Sequence, residues 1–452
     1  MKQNEFGAFI LSETKNGERI VSCGGRISTR QGTAVEIYKK SIDKTKNLNL
    51  ISKVISSGHT TILEHHYFNI AFNKVSVFVE QFLIEFRLAS FTIKSGRYVN
   101  FSKSGFNLSD EFSDEQKTVL SRHYRDMLRT YNELVQKGVP IEDARFVLPY
   151  GIKTNIYMSV NARELVHIIC SMIYGDGSNY LEIKKLGLML KIEMDKRYPG
   201  LIDSNAKKYE IEKLGTFKLD KNLLKNYSDK IEYVSQKVQF WNEKIENCYQ
   251  KLQSMAKFME IESFDGVTSL YGKTEKLLEH IDFTFKVENF SIISLKHFTR
   301  HRMQSLSTKP LAQIALSNKF VIPNTILENE ELTTIFKNAI KKNREVFEKL
   351  IGMNIDKNLL VYVMPHGIAT NFISTMNVRE LLHFVNLRSC NRAQWEIRNL
   401  ATTMTKMLKN VDSKLFENFG PSCVTTGKCP EGRLCCGRQV EMKDKFEKLQ
   451  NS

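Results

Sequence analysis

Two short stretches of this chain set small and cationic residues where they could grip a phosphate. Ser95-Gly96-Arg97-Tyr98 joins a hydroxyl, a backbone without a side chain and a guanidinium. The bare glycine lets an anion approach the main chain, and the arginine completes the anion site. Arg300-His301-Arg302, with Ser305 three residues on, puts three polar groups at consecutive positions. At a helix end such neighbours fan out over a wide sector and reach different partners. A guanidinium is planar and permanently charged, so it suits phosphates and carbonyl or imide edges through paired bonds. A third grouping is Cys423, Cys429, Cys435 and Cys436 among glycine and proline turns. Reduced surface thiols are the expectation, and tetrahedral zinc on these four is the alternative, since the spacing lacks the usual Cys-x2-Cys knuckle.

The elements that must position these residues occur twice. Leu63-Glu64-His65 returns as Leu278-Glu279-His280, and Arg87 and Ser90 return as Arg302 and Ser305, 215 residues later. Pro149, Gly151, Asn161, Arg163, Glu164 and His167 return as Pro365, Gly367, Asn377, Arg379, Glu380 and His383, 216 residues later. A period this long marks a duplicated domain rather than a solenoid. We read repeats over 1–205 and 206–416 and a separate Cys-rich tail over 417–452. Within the first repeat the pattern predicts helix over about 34–56, a strand from Tyr67, an apolar helix over Ser76–Leu88 and a polar helix over about 114–137. A Pro-Tyr-Gly turn and a long amphipathic helix holding Asn161 follow. The second repeat predicts a strand over Phe283–Val287, helix over Phe290–Met303 and about 329–351, and a closing helix holding Asn377. Residues 204–263 are expected to open it as helices. The class is α+β: in each half a sheet packed with long helices.

Length and composition agree. A chain of 452 residues suits two domains of about 200, and 42% hydrophobic with 26% charged residues is ordinary for a globular protein. No apolar run reaches the roughly 20 residues that span a bilayer, and the first residues do not form a secretory signal. A cytoplasmic location is expected. The net charge of +16 is spread along both repeats rather than gathered in a stripe. It excludes nothing about composition bias, favours anionic small ligands over nucleic acid, and gives no sign of a membrane partner.

With Arg300-His301-Arg302 and Ser305, Leu387-Arg388 and Ala393-Gln394-Trp395 in the second repeat, and Ser95-Gly96-Arg97-Tyr98 and Arg145-Phe-Val-Leu-Pro149 in the first, the chain resembles the flavin-dependent thymidylate synthases over nearly all of residues 20–415. The resemblance implies a homotetrameric architecture with FAD at subunit junctions. It also implies methyl transfer from methylenetetrahydrofolate to carbon 5 of dUMP, with electrons from NADPH through the flavin and no cysteine nucleophile. By that resemblance Arg388 polarises the uracil ring, and Ser95, Gly96, Arg97, Arg145, His297, Arg300 and Arg388 bind dUMP. FAD falls to His65, His280, Arg300, His301, Arg302, Asn161, Arg163, His167, Asn377, Arg379 and His383. The family's Gln before Arg-His-Arg is His297 here, its acidic residue before Ser-Gly-Arg is Ile93, and its flavin-contacting Asn is His167 and His383.

Each repeat has lost a different part of the pattern. The first reads Glu85-Phe86-Arg87 at the Arg-His-Arg position and about Met172 at that of Arg388; the second reads Pro310-Leu311-Ala312-Gln313 at Ser-Gly-Arg-Tyr and Val361 at Arg145. The losses are complementary, as when a symmetric interface becomes heterologous after duplication. The expectation is a thymidylate synthase working as a homodimer that mimics a tetramer, with a tail dispensable for chemistry. A flavin- or nucleotide-binding protein without turnover, and methylation of another uridine nucleotide, are the alternatives.

Overall fold

The computed structural model describes residues 5–215, 228, 230–241, 246–260 and 274–449. Two four-stranded antiparallel sheets carry the chain, and their strand orders match element for element. The first runs Gly7–Glu13, Tyr67–Ser76, Lys153–Asn161, Ser90–Ile93; the second runs Lys237–Phe240, Asp282–Ser291, Ala369–Asn377, Gln304–Thr308. The duplication is thus one of topology as well as sequence. Alternation explains the central strands: Phe68, Ile70 and Phe72, and likewise Phe283, Phe285 and Val287, are fully buried on one face.

The predicted helices form with shifted ends. Residues 34–56 make two helices, Ala34–Lys40 and Lys44–Ser56. The apolar helix is only Val77–Leu83, because the chain turns at Ile84 and leaves Leu88 exposed. Its counterpart is Ile292–Thr299 rather than Phe290–Met303. Asn161 and Asn377 end strands and cap the closing helices Ala162–Ile173 and Val378–Arg388, so neither lies inside a helix. Residues 204–263 are not helical throughout: helices Ala206–Gly215 and Cys248–Phe258 flank the strands Glu232–Tyr233 and Lys237–Phe240. The rest of that stretch lies outside the described residues.

By compactness the chain divides into one unit of residues 1–226 and 324–366 and another of 227–323 and 367–452. The long helix Glu330–Gly352, from the second repeat, belongs to the first unit and packs on Asp114–Gln136. Both helices carry large side chains at helical spacings of three, four or seven: Leu120, Tyr124, Met127, Tyr131 and Leu134 on one, Phe336, Ile340, Phe347 and Leu350 on the other, all buried. They run antiparallel. Gln116 Nε2 donates to Met353 O at 3.3 Å near one end, and Lys137 pairs with Glu331 at 2.6 Å near the other. Midway, Asn343 Nδ2 donates to the ring of buried His123 at 3.0 Å and to Val363 O at 2.8 Å. Beside them, Tyr150 N donates to Met364 O and His366 N to Leu148 O, at 2.8 and 2.9 Å. Those two bonds exchange under a shift of 216 positions, the mark of a two-fold contact kept inside one chain.

The tail is part of the second unit rather than a separate piece. Met442 and Phe446 are buried, and Lys409 Nζ donates to Glu417 O at 2.9 Å and Phe446 O at 2.8 Å. Ser422 and Thr425 donate to the carbonyl and side-chain oxygens of Asn386, on the helix that ends at Arg388.

Candidate functional site

The Ser95-Gly96-Arg97 turn of the first repeat follows the edge strand Ser90–Ile93. Ser95 Oγ accepts from Arg97 N at 3.3 Å, which tightens the turn around Gly96. A Cβ on Gly96 would stand 2.8 Å from the Phe101 ring and 3.0 Å from Arg145 Nη1, so this position admits only glycine without a shift. Arg145 is 5% exposed and sits at the end of the short helix Ile141–Ala144. Its Nε donates to Glu142 O at 3.0 Å, while the buried Nη2 has no hydrogen-bond partner. Burial lowers its pKa to about 10, with Glu142 opposing, so it stays cationic at neutral pH. His366 fixes the backbone here: its Nδ1 lies 3.1 Å from Arg145 O and must carry the proton. Arg97 pairs with Glu142 at 2.6 Å. A buried guanidinium with an orphan donor beside bare backbone offers chemistry that fits an anion.

In the second repeat the helix Ile292–Thr299 ends with Arg300 as its cap, and Arg300 and Arg302 are exposed there. Two exposed guanidinia at one helix end fit a group bearing phosphates, as FAD does. His301 between them turns inward and is buried. Arg388 Nε donates to His301 Nε2 at 2.8 Å, so that nitrogen is bare and Nδ1 holds the proton, donated toward Glu380 Oε1 at 3.3 Å. Burial first, then the Arg388 charge, hold the imidazole well below its usual pKa and neutral. Arg388 Nη2 also donates to His297 O at 3.2 Å. It is the main chain of His297, not its ring, that meets Arg388 in this bond. Arg388 is therefore held on two sides, by the His297 carbonyl and by the His301 ring, which Glu380 holds in turn. Gln304 steadies the turn by donating to Phe298 O at 2.8 Å and accepting from Ser374 at 2.8 Å.

The corresponding place in the first repeat is built differently. Phe86 packs edge-on against His167, ring centres 5.2 Å apart, and Met172 is buried. A cavity of about 550 Å³ opens beside them, lined by Phe82, Glu85, Phe86, His167, Asp176 and Tyr209. Glu85 stands on the cavity wall and is exposed to solvent. At the other lost position, Leu311–Ile314 form a helical turn with Ala312 and Ile314 buried, so that segment offers packing rather than a phosphate cradle.

Residues kept in both repeats make the same structural contacts twice. Asn161 accepts from Glu164 N and Asn377 from Glu380 N, each at 2.9 Å. Arg163 pairs with Glu64 at 2.5 Å, and Arg379 pairs with Glu279. Four residues assigned to FAD thus have framework duties already. His65 and His280 end the equivalent turns and are exposed, and His383 lies 5.8 Å from the His301 ring. Sequence reasoning missed one repeated pair. Glu182 accepts from Ser76 N and Oγ at 2.8 and 2.7 Å; Glu396 accepts from Ser291 N at 2.8 Å and from its hydroxyl. Each buried carboxyl ties the start of the apolar helix to a helix about 105 residues further along. The signal was available: Ser76 and Ser291 recur 215 residues apart and Glu182 and Glu396 214 apart, within a residue or two of the repeat's spacing.

The duplicated antiparallel sheet with capped closing helices is one family's domain used twice. The chain belongs to that family, described as thymidylate synthase complementing protein, which matches twice, over residues 9–200 and 230–412. Relatives named flavin-dependent thymidylate synthase include one from Geobacter sulfurreducens, 34% identical over 178 residues covering 39% of this chain and 76% of that protein. One from Clostridium tetani is 34% identical over 218 residues, 43% of this chain and 87% of its own length. One from Thermococcus onnurineus is 31% identical over 206 residues, 44% and 82% respectively. Each relative corresponds to one repeat's worth of this chain. Among the described residues no helix is long and apolar enough to cross a membrane.

Proposed function

We propose that this protein converts dUMP to dTMP with methylenetetrahydrofolate as one-carbon donor and NADPH as reductant. Two repeats, 1–205 and 206–416, share the work. The observation that carries this reading is the division of intact groups: the buried Arg145 with its orphan Nη2 beside Gly96 occurs in the first repeat, and Arg388 gripped by neutral His301 occurs in the second. Ser95, Gly96, Arg97 and Arg145 hold the nucleotide phosphate and so fix the ring in place, a positioning effect. Arg388 meets a uracil carbonyl and favours the ionised imide, which makes carbon 5 nucleophilic. Arg300 and Arg302 hold the flavin's phosphates. Bound FAD would supply the redox chemistry between NADPH and the one-carbon unit. Two chains assemble as a pseudotetramer with two such nucleotide sites.

The test is production of dTMP from dUMP by the purified, flavin-loaded chain, together with growth of a thymidine auxotroph carrying its gene. Flavin binding without dTMP formation would instead make the chain a nucleotide- or flavin-binding protein without turnover.

A further inference from the structure

The helices Gly17–Ile27, Ala34–Lys40 and Lys44–Ser56 of the first repeat line a second cavity, which shares no residue with the site described above. Its volume is about 790 Å³, within the range of clefts that hold small molecules. Arg26, Arg30, Lys40 and Lys46 stand on its wall against two carboxylates, Glu36 and Asp43. Both carboxylates are engaged at helix starts: Glu36 Oε2 accepts from Thr33 N at 2.9 Å, and Asp43 Oδ1 accepts from Lys46 N at 3.0 Å. Asp43 also pairs with Lys46 Nζ at 3.5 Å, whereas Arg30 has no ion pair among the described residues.

Arg26 is 8% exposed, and an arginine so buried ordinarily has a carboxylate beside it. Here Nη1 donates to Ser22 Oγ at 2.7 Å, Ser41 Oγ at 2.9 Å and Asn47 Oδ1 at 2.7 Å, all neutral oxygens. Those partners are fixed in turn, since Ser41 Oγ donates to Ile37 O at 2.7 Å and Asn47 Nδ2 to Ser41 O at 3.0 Å. Nε and Nη2 bond to no described residue and are not sealed in by protein, so this held guanidinium keeps free donors on the cavity wall. Burial first, then the charge of Arg30, lower its pKa, with Cys23 and Asp43 opposing; two like charges thus act on each other here. Ile42, on the same wall, is 75% exposed.

We propose that this cavity binds a phosphate-bearing small molecule, with its phosphate on Arg26 and Arg30 and its apolar part against Ile42. A planar guanidinium suits paired phosphate oxygens, and a dianion between two such groups removes their repulsion. Four cations against two carboxylates leave two positive charges on the wall, the number a phosphate ester neutralises. Lys40 and Lys46 add point charges at the rim. The cations face one cavity among three helices rather than forming the stripe that a nucleic-acid backbone needs.

Phenyl phosphate is the probe, titrated calorimetrically into the full chain. One submillimolar binding event is expected that Arg97→Ala keeps, so that it is distinct from the Ser95-Gly96-Arg97 turn. Arg30→Glu and Lys40→Glu, both at exposed positions, should each weaken it about tenfold or more, the worth of one bond to a charged group. Lys53→Glu, a matched charge reversal outside the cavity, should leave it unchanged. Arg26→Lys keeps the charge but loses the second donor arm and should also weaken binding; should that variant fail to fold, the exposed positions carry the test. Inorganic phosphate should bind more weakly than phenyl phosphate, and Ile42→Ser should abolish the difference. Several outcomes overturn the assignment: no event beyond those lost in Arg97→Ala, an equal loss in Lys53→Glu, inorganic phosphate binding as tightly as the phenyl ester, or triglutamate doing so, which would make this a carboxylate site. Binding is read without turnover, so the result is independent of how the nucleotide site works.

Discussion

Arg388 depends on a neighbour that a motif reading assigns to the flavin. His301 accepts from Arg388 Nε, so it can hold the guanidinium only while neutral. His301→Ala should lower kcat by about 10- to 100-fold, the size of one hydrogen bond to a charged group, with flavin content preserved. His301→Gln, which restores an acceptor, should recover part of the loss. Steady-state kinetics with a flavin spectrum on each variant checks this; flavin lost in proportion to activity would make His301 a cofactor ligand instead. The pH direction follows from burial. A neutral buried imidazole stabilises the fold above the unfolded pKa of 6.5, and that contribution is lost as pH falls below it. In the first repeat, Gly96→Ala should raise KM for dUMP at least tenfold, because the added carbon meets Phe101 and Arg145 at 3.0 Å or less. Arg145 and Gly96 were named from sequence by resemblance; their mutual contact was not legible, since the 48 residues of intervening chain carry no pattern that fixes it.

At the level of elements, the repeated carboxyls explain how each apolar helix is aimed. Glu396 lies buried against Ser291, and its pKa is pushed up to about 7 by desolvation, with the Ser291 bonds opposing. The sign is the reverse of a surface carboxylate. The folded state holds this proton more tightly than the unfolded chain, so stability declines as pH rises from about 4.5 to about 7 and levels off above. The span corresponds to roughly 3 kcal/mol at one proton per unit of pH. Thermal melts from pH 5 to 8 should show the decline, and Glu396→Gln should flatten it; an unchanged profile would mean the carboxyl stays ionised in the fold. The strands were partly legible. Thr154, Ile156, Met158 and Val160 alternate and are all buried, a period-two signal that the sequence reading passed over for the helix that follows. In Ala369–Asn377 the buried Ser374 blurs the same alternation, because it is satisfied by Gln304 rather than by apolar contact. The helices were legible as elements but not in their ends, since Asn161 and Asn377 look like helix interior until their capping bonds are seen.

For the whole molecule, the pattern of what is kept and lost separates frame from chemistry. Capping Asn, Arg–Glu pairs and buried Ser–Glu ties survive in both repeats, whereas the Ser-Gly-Arg turn and the Arg-His-Arg helix end occur once each. A frame must be kept twice to fold twice; a site shared between two repeats needs each group only once. Flavin binding should therefore follow the second repeat. Arg302→Ala should give colourless protein, while Phe86→Ala should keep its colour and lose a few kcal/mol of packing at most. Equal flavin loss in both, with folding intact, would contradict that division. Stoichiometry tests it more severely. If a working site takes Arg97 and Arg145 from a first repeat and Arg300 and Arg388 from a second, calorimetric titration should find one dUMP per chain, and a value near two would exclude shared sites. Arg97→Ala and Arg388→Ala should each abolish turnover, at about 2 to 5 kcal/mol for a charged partner left unpaired. Mixing the two inactive variants then decides where the halves meet. Sites formed between chains yield one intact site in each mixed dimer and recover activity, whereas sites formed within a chain leave every site with one defect and recover none.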